Sequence, residues 1–223
     1  MDRLDALRIV AEQVSVCEAC TLHHSRKHSV PGEGPSDAKL MLIGEGPGFY
    51  ENEQGRPFVG QAGKLLEDLL ASIGMRREQV FITNVVKCRP PGNRDPQPDE
   101  LTACAGYLDR QIEVIRPEII VTLGRFSMAK FLPNVRISDV HGQSFTVRGQ
   151  LVVPMYHPAA ALHQPSLRPQ LEKDFQHLPE YIALARSKSG RPTPETHSIA
   201  ETRSEVLDEP VKSTDNPTQL PLF

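Results

Sequence analysis

The 223-residue chain is long enough for one domain of ordinary size with its own core, and its formal net charge is −3. That slightly acidic balance excludes a general polyanion binder, so any nucleic-acid contact must come from a local basic patch. No apolar run reaches the length of a membrane span, and the charged first 14 residues do not resemble a signal peptide. We therefore expect a cytoplasmic monomer with no membrane contact, whose thiols stay reduced.

The pattern of apolar residues predicts alternating helices and strands. In chain order these are a helix over residues 4–14, a strand over 40–43, a helix over 63–73, a strand over 80–83, a helix over 98–115, a strand over 119–123, a hairpin over 145–147 and 151–153, and a helix over 171–186. Apolar strands between helices predict an α/β fold with a parallel sheet covered on both faces. Sites in such folds lie at the carboxyl ends of the strands, where the loops 44–60, 84–94 and 157–163 should meet.

The composition changes after residue 186. Residues 187–217 are rich in Ser, Thr, Pro and Glu, so the sequence predicts that the domain ends at 186 and that 187–223 is a disordered tail. The tail ends in an apolar hook that could enter a groove on a partner, formed by Gln219, Leu220, Leu222 and Phe223.

The four cysteines are Cys17 and Cys20, in C-x-x-C spacing, and the distant Cys88 and Cys104. They are either buried thiols that act as small hydrophobes or ligands of a zinc ion or an iron–sulfur cluster. A thioredoxin-like redox pair is disfavoured because the C-x-x-C follows a helix instead of closing a strand–helix turn. Spacing alone does not separate zinc from iron–sulfur.

A glycine-rich loop follows the first strand and precedes a helix, reading GEGPG at 44–48 and GRPFVGQAG at 55–63. Strand, glycine-rich loop and helix bring bare backbone N–H groups against a ligand. Phe58 in the same loop indicates a ligand that has a flat face as well as charge.

Together with TNVVKCRPP at 83–91 and HPAAAL at 157–162, these motifs resemble the family 4 (iron–sulfur) uracil-DNA glycosylases over roughly residues 4–186. The resemblance implies a three-layer α/β/α sandwich with a four-stranded, mainly parallel sheet. It also implies that Cys17, Cys20, Cys88 and Cys104 hold a [4Fe-4S] cluster. The implied activity is hydrolysis of the N-glycosidic bond of uracil flipped out of DNA, which leaves an abasic site.

The resemblance assigns the pocket. Asn84 would donate to uracil O4 and accept from N3–H, which excludes cytosine because cytosine presents the opposite polarity at both positions. Phe58 would stack on the base, and His157 would stabilise the negative charge that develops on uracil O2. The backbone around Gly44 and Gly46 would lie close to the sugar and to O2.

Activation of the water is less defined. Other uracil-glycosylase families place an aspartate where this chain has Gly46, which leaves Glu45 and Glu51 as the candidate catalytic carboxylates. Glu51 could instead exclude the methyl group of thymine. The acidic run of the family is thinned here to FYENE at 49–53, and Arg56 is expected to be an ion-pair partner.

DNA contacts are expected from basic residues beside two of the motifs and from an apolar wedge. The basic candidates are Lys87, Arg89, Arg94, His163 and Arg168, and the wedge is Leu162. The C-terminal hook resembles a peptide that binds the bacterial DNA polymerase sliding clamp. One competing hypothesis is a non-catalytic or covalently trapping uracil-DNA binding protein of the same superfamily, although the Gln typical of trapping relatives is absent at Gly46. A zinc-stapled nucleotide-binding protein is a further alternative.

Overall fold

A computed structural model describes residues 1–188 of the protein. The predicted clamp-binding hook at 219–223 and nearly all of the predicted tail lie outside the described residues. The helices are α1 (Arg3–Ser15), α2 (Phe49–Gln54), α3 (Gln61–Ser72), α4 (Pro98–Ile115), α5 (Arg125–Ala129), α6 (Ile137–Val140), α7 (Pro158–His163), α8 (Arg168–Gln176) and α9 (Leu178–Lys188). The strands are β1 (Leu40–Gly44), β2 (Phe81–Asn84), β3 (Ile119–Leu123), β4 (Phe145–Val147) and β5 (Gln150–Met155).

The strands form one mixed sheet in the order β2-β1-β3-β5-β4. β1, β2, β3 and β5 are parallel, and β4 pairs antiparallel with β5 as the outer arm of the predicted hairpin. The predicted α/β class and mainly parallel sheet are confirmed, with five strands instead of four.

Successive residues of each strand face opposite layers of helices. Leu40 and Leu42 belong to a core with α3 and α8, whereas Met41 and Ile43 belong to a core with α4. Burial on both faces explains why the strands are almost continuously apolar. The result is the three-layer α/β/α sandwich that the sequence predicts, and none of its described helices is long and apolar enough to cross a membrane.

Two helix boundaries show how local chemistry sets the fold. α4 begins at the predicted Pro98, whose missing N–H is not needed in a first turn, and Glu100 accepts from the Gln97 N–H at 2.8 Å. The prediction of a single helix over 171–186 is wrong, because the helix is interrupted at His177, between α8 and α9. Pro179, the second residue of α9, cannot donate a backbone hydrogen bond to α8 and therefore suits the first turn of a new helix.

Candidate active site and cysteine cavity

A pocket lies where the loops after β1, β2 and β5 meet, at the carboxyl ends of these parallel strands. Its walls include the residues Glu45, Gly46, Gly48, Glu51, Phe58, Asn84, Pro90, Asn93, Arg94, His157 and His163. The three loops singled out by the sequence therefore share one site, and eight of the predicted functional residues line it: Glu45, Gly46, Glu51, Phe58, Asn84, Arg94, His157 and His163.

Asn84 ends β2 and lies opposite Gly44 in the register of the sheet. Its side chain is only 1% exposed, and its Oδ1 has no hydrogen-bond partner among the described residues. A buried amide oxygen without a partner is costly, which makes this atom the strongest indication of a ligand in the pocket. A Cβ at Gly44 would overlap Asn84 Oδ1 and approach Phe58 Cζ to 2.7 Å, so glycine is required behind the amide.

Phe58 lies against the ring of His157 in a stacked arrangement, with ring centroids 5.5 Å apart. Its φ of 51° is in the left-handed region, which costs a non-glycine residue on the order of 1–3 kcal/mol. Arg77 holds this backbone by donating from Nη1 to the Phe58 carbonyl at 2.9 Å and from Nη2 to the Pro57 carbonyl. This clamp has no signal in the sequence, because Arg77 lies on a turn 19 residues away with no motif around it.

Glu33 completes the clamp by accepting from Arg77 Nε at 2.6 Å and from Arg56 Nε at 2.8 Å. These hydrogen bonds hold the pKa of Glu33 below its usual range, although burial opposes them. The prediction that Arg56 is an ion-pair partner is confirmed.

His157 follows β5 and caps the N-terminus of α7, where its Nδ1 accepts from the Ala159 N–H at 3.1 Å. Burial lowers the pKa of His157 to about 4, against the opposing charge of Glu51. The ring is therefore neutral near pH 7, and because Nδ1 is an acceptor, the ring proton is assigned to Nε2. His157 is thus a neutral hydrogen-bond donor fixed in the wall of the pocket.

The two candidate carboxylates differ in their contacts. Glu51 accepts three backbone N–H groups, from Gly48 at 3.1 Å, Val59 at 2.9 Å and Gly60 at 3.0 Å. It therefore ties the two halves of the glycine-rich loop together. No hydrogen bond from the described residues engages the carboxylate of Glu45, whose pKa burial raises.

Gly46 faces the loop after β2. A Cβ at this position would come within 2.8 Å of Val86 Cγ2 and 3.6 Å of Pro90 Cδ. The absence of a side chain at the expected aspartate position is thus matched by the close approach of the neighbouring loop.

Lys87, predicted to contact DNA, is buried instead, with 1% exposure, and that prediction is wrong. Its Nζ donates to Thr83 Oγ1 at 2.5 Å, Gln111 Oε1 at 2.7 Å and the Asn84 carbonyl at 2.8 Å. Burial lowers the pKa of Lys87 to about 7, partly opposed by Cys104. A basic residue in a loop suggested a surface position, and the burial depends on Gln111, which lies 24 residues away on α4 and forms no recognisable pattern with Lys87.

The other predicted DNA contacts lie at or near the surface. Arg94 is 38% exposed and forms a bidentate pair with buried Glu100, at 2.6 and 2.9 Å, which holds the pKa of Glu100 at about 2. Arg89 donates to Asn93 Oδ1 at 2.7 Å, and Arg168 forms an exposed pair with Glu172. Leu162 is 41% exposed on α7, and its exposed neighbour His163 lines the pocket.

A second cavity lies beside the loop after β2, and all four cysteines line it. Arg26 Nη1 lies 3.6 Å from Cys88 Sγ, and the Lys87 N–H donates to Cys104 Sγ at 3.3 Å. Burial raises the pKa of the Cys104 thiol to about 11. Within the described residues, no three Cys, His, Asp or Glu side chains are grouped closely enough to hold a single metal ion.

Comparison with known proteins agrees with this geometry. Residues 31–183 match the family model described as the uracil DNA glycosylase superfamily. The chain is 50% identical to the type-4 uracil-DNA glycosylase of Sulfurisphaera tokodaii over 187 residues, covering 79% of this chain and 85% of the relative. It is 50% identical to the enzyme of the same name from Saccharolobus solfataricus, covering 81% and 88%, and 44% identical to that of Thermotoga maritima, covering 81% and 96%. The pocket, the sandwich fold and these matches together show that the chain belongs to the uracil-DNA glycosylase superfamily.

Proposed function

We propose that this protein is a DNA repair enzyme that excises uracil from DNA by hydrolysing its N-glycosidic bond. The observation that carries the proposal is the buried, unpartnered Oδ1 of Asn84, a residue that lines a pocket together with a stacking ring and a neutral donor. The named activity of the type-4 relatives supports it. The substrate is uracil-containing DNA, because a base must leave the helix to enter a pocket of this kind.

The Asn84 amide selects the base. Its Oδ1 accepts from N3–H of uracil, and its Nδ2 donates to O4. Cytosine offers an acceptor at N3 and a donor at N4, so both contacts would fail, at a cost of about 1–3 kcal/mol for each unsatisfied group. Phe58 supplies a flat face against the ring without reading its edge.

His157 assists departure of the base. As the N-glycosidic bond breaks, the bonding electrons leave with uracil, and negative charge builds up on O2. The Nε2–H of His157 donates to that oxygen, and the ring keeps its proton because it starts neutral. The Ala159 N–H on Nδ1 fixes both the tautomer and the ring orientation before the substrate arrives.

Water attacks the resulting sugar cation. We assign its orientation to Glu45, because no described hydrogen bond engages that carboxylate. The three backbone contacts of Glu51 favour a brace for the loop over the water-activating role predicted from sequence. The exposed Leu162, His163 and Arg168, together with Arg89, remain our proposed DNA contacts, whereas the guanidinium of Arg94 is already committed to Glu100.

We further propose that Cys17, Cys20, Cys88 and Cys104 hold a 4Fe-4S cluster. All four thiols line one cavity, and donors from Arg26 and the Lys87 backbone would stabilise anionic sulfur. Each thiolate of such a cluster binds a different iron, so the sulfurs need not converge on one point as they would around zinc. When bound, the cluster would supply a structural cross-link between the N-terminal arm and the loop after β2.

The test is excision from single- and double-stranded oligonucleotides that carry one uracil, followed by alkaline cleavage of abasic sites. We expect strand scission and release of free uracil. Absence of scission with both substrates from iron-loaded protein would refute the enzyme proposal. A covalent protein–DNA band on a denaturing gel would support the trapping alternative instead.

The C-terminal hook remains a proposal for a second partner. Gln219, Leu220, Leu222 and Phe223 resemble a clamp-binding peptide, and they lie outside the described residues. Deleting residues 219–223 should abolish capture by a bacterial sliding clamp and leave oligonucleotide activity intact. Capture that survives the deletion would refute this assignment.

A further inference from the structure

Lys87 occupies an unusual environment for a lysine. Its ammonium group is fully enclosed, and its three hydrogen-bond acceptors are a hydroxyl, an amide and a backbone carbonyl, with no carboxylate among them. Lysine is almost never fully buried without an ion pair, because loss of hydration is costly. A residue kept in such a position needs an explanation beyond filling the core.

The position of β2 supplies one. β2 is the edge strand of the sheet, so the backbone groups on its outer side have no neighbouring strand. At Ile82 this outer side is satisfied by Glu33, which exchanges two backbone hydrogen bonds with it at 2.8 and 3.0 Å. Asn84 is two residues further along and presents its carbonyl to the same side, where Lys87 Nζ takes the place of the missing strand.

The same ammonium group reaches α4 through Gln111. The amide of Gln111 is itself fixed, because its Nε2 donates to the Pro31 carbonyl at 2.7 Å. α4 also carries Cys104, seven residues before Gln111 and on the same face of the helix. A short chain of contacts therefore connects the helix that lines the cysteine cavity with the backbone of Asn84.

We propose that Lys87 is a positioning residue for base recognition, because it fixes the backbone of Asn84 to α4. The helix that carries Cys104 then also determines the orientation of the Asn84 amide that reads the base. The inference rests on the proposed uracil excision. It makes the cysteine cavity and the base pocket parts of one rigid unit, although no cysteine lines the pocket. Accurate reading of uracil then depends on an amine that is buried away from the DNA.

The experiment is Lys87→Met, which keeps an unbranched apolar stem as far as Cε and removes the amino group with its donors. Lys39→Met is the matched control, because Lys39 precedes β1 at the opposite end of the sheet and forms only a 3.7 Å pair with Glu118. Iron content and visible absorbance are measured first. Inhibition by free uracil and single-turnover excision are then measured on iron-loaded protein.

We expect about a tenfold weaker inhibition by free uracil in Lys87→Met, a similar loss of the single-turnover rate, and no change in Lys39→Met. In an Asn84→Ala background, Lys87→Met should cause little further loss of rate, because the residue acts through Asn84. Unchanged uracil inhibition, or an equal loss of rate in both backgrounds, would overturn the proposal.

A second variant covers the case in which Lys87→Met does not fold. Gln111→Met leaves Lys87 bonded to Asn84 and removes its link to α4. We expect uracil inhibition to weaken several-fold while iron content stays at the wild-type level. Wild-type uracil inhibition in Gln111→Met would overturn the proposal. Excision by the wild-type protein is scored separately, so failure of the positioning role is distinguishable from failure of the proposed function.

Discussion

Residues of the loop after β2 line both the base pocket and the cysteine cavity, and the fold prepares the two in opposite ways. In the pocket, a buried acceptor on Asn84 has no protein partner, and a neutral ring presents a donor. In the cysteine cavity, the sulfurs of Cys88 and Cys104 already meet donors from Arg26 and the backbone. Unused hydrogen-bonding capacity suits a ligand that binds reversibly, whereas donors already in place suit the anionic cluster that we propose for the cysteine cavity.

His157→Ala tests the pocket side of this contrast and should have the largest effect. Loss of a fixed donor to a developing anion costs on the order of 2.7–4 kcal/mol, or 10²–10³ in rate. Single-turnover excision should fall by that factor while iron content stays constant. A fall of less than about tenfold would mean that His157 does not stabilise the leaving base.

Arg94→Met tests the frame of the cysteine side. The substitution leaves the buried carboxylate of Glu100 without its ion-pair partner. This carboxylate also accepts a hydrogen bond from Thr21, which is next to Cys20. The free energy of unfolding should fall by more than the ~1 kcal/mol of an exposed pair and less than the ~3–5 kcal/mol of a fully buried one. Arg136→Met, which removes an exposed pair with Asp139, is the control. Equal losses in the two variants would contradict a framing role for Arg94.

The acid response of Glu100 gives the same variant a second readout. Because Arg94 lowers the folded-state pKa of Glu100 to about 2, its contribution is complete above the unfolded value of about 4.5 and is lost as the pH falls toward 2. Arg94→Met should lose less stability than the wild type over that interval. An identical acid response would show that Arg94 does not set this pKa.

A smaller effect follows from the neutral ring of His157. The unfolded chain binds a proton near pH 6.5, whereas the folded ring does so only near pH 4, so stability is lost as the pH falls between these values. From pH 7 to 5.5 the wild type should lose about 1 kcal/mol more than His157→Asn, whose side chain can still cap α7. Equal losses, measured by denaturant unfolding at both pH values, would contradict a neutral His157.

Leu162→Ala should have the smallest effect. The side chain is exposed on α7 beside the pocket, where it would fill the stack emptied by a flipped base. KM for duplex substrate should rise a few-fold, while KM for single-stranded substrate, which has no stack to fill, should not change. An equal rise with both substrates would argue against a wedge.

The sequence was sufficient to predict helices and strands whose bounds depend on neighbouring residues. α4 was predicted with its observed bounds, because Pro98 marks its start and Pro117 follows its end, and β3 was predicted because a continuous apolar run suits a strand buried on both faces. Motifs at the ends of three strands placed the pocket, since parallel topology brings those ends together.

Long-range contacts explain what the sequence did not reveal. Lys87 was expected at the surface. Its contact with Gln111 forms only when α4 packs against the sheet, which no local pattern reveals. Glu51 was one of two carboxylates considered for positioning water, with exclusion of the thymine methyl group as its alternative role. The structure shows instead that it accepts backbone N–H groups, whose direction no residue pattern reports. The Arg77 clamp depends on a turn that has no motif.

The close approach of Val86 to Gly46 has a consequence for how this pocket could evolve. An aspartate introduced at position 46 would place its Cβ 2.8 Å from Val86 Cγ2, so the Val86 side chain or the loop that carries it would have to move. A smaller side chain at position 86 would have to come first, or with it, for the carboxylate to be accommodated. The two positions should therefore change together, and Gly46→Asp should be tolerated better in a Val86→Ala background than alone.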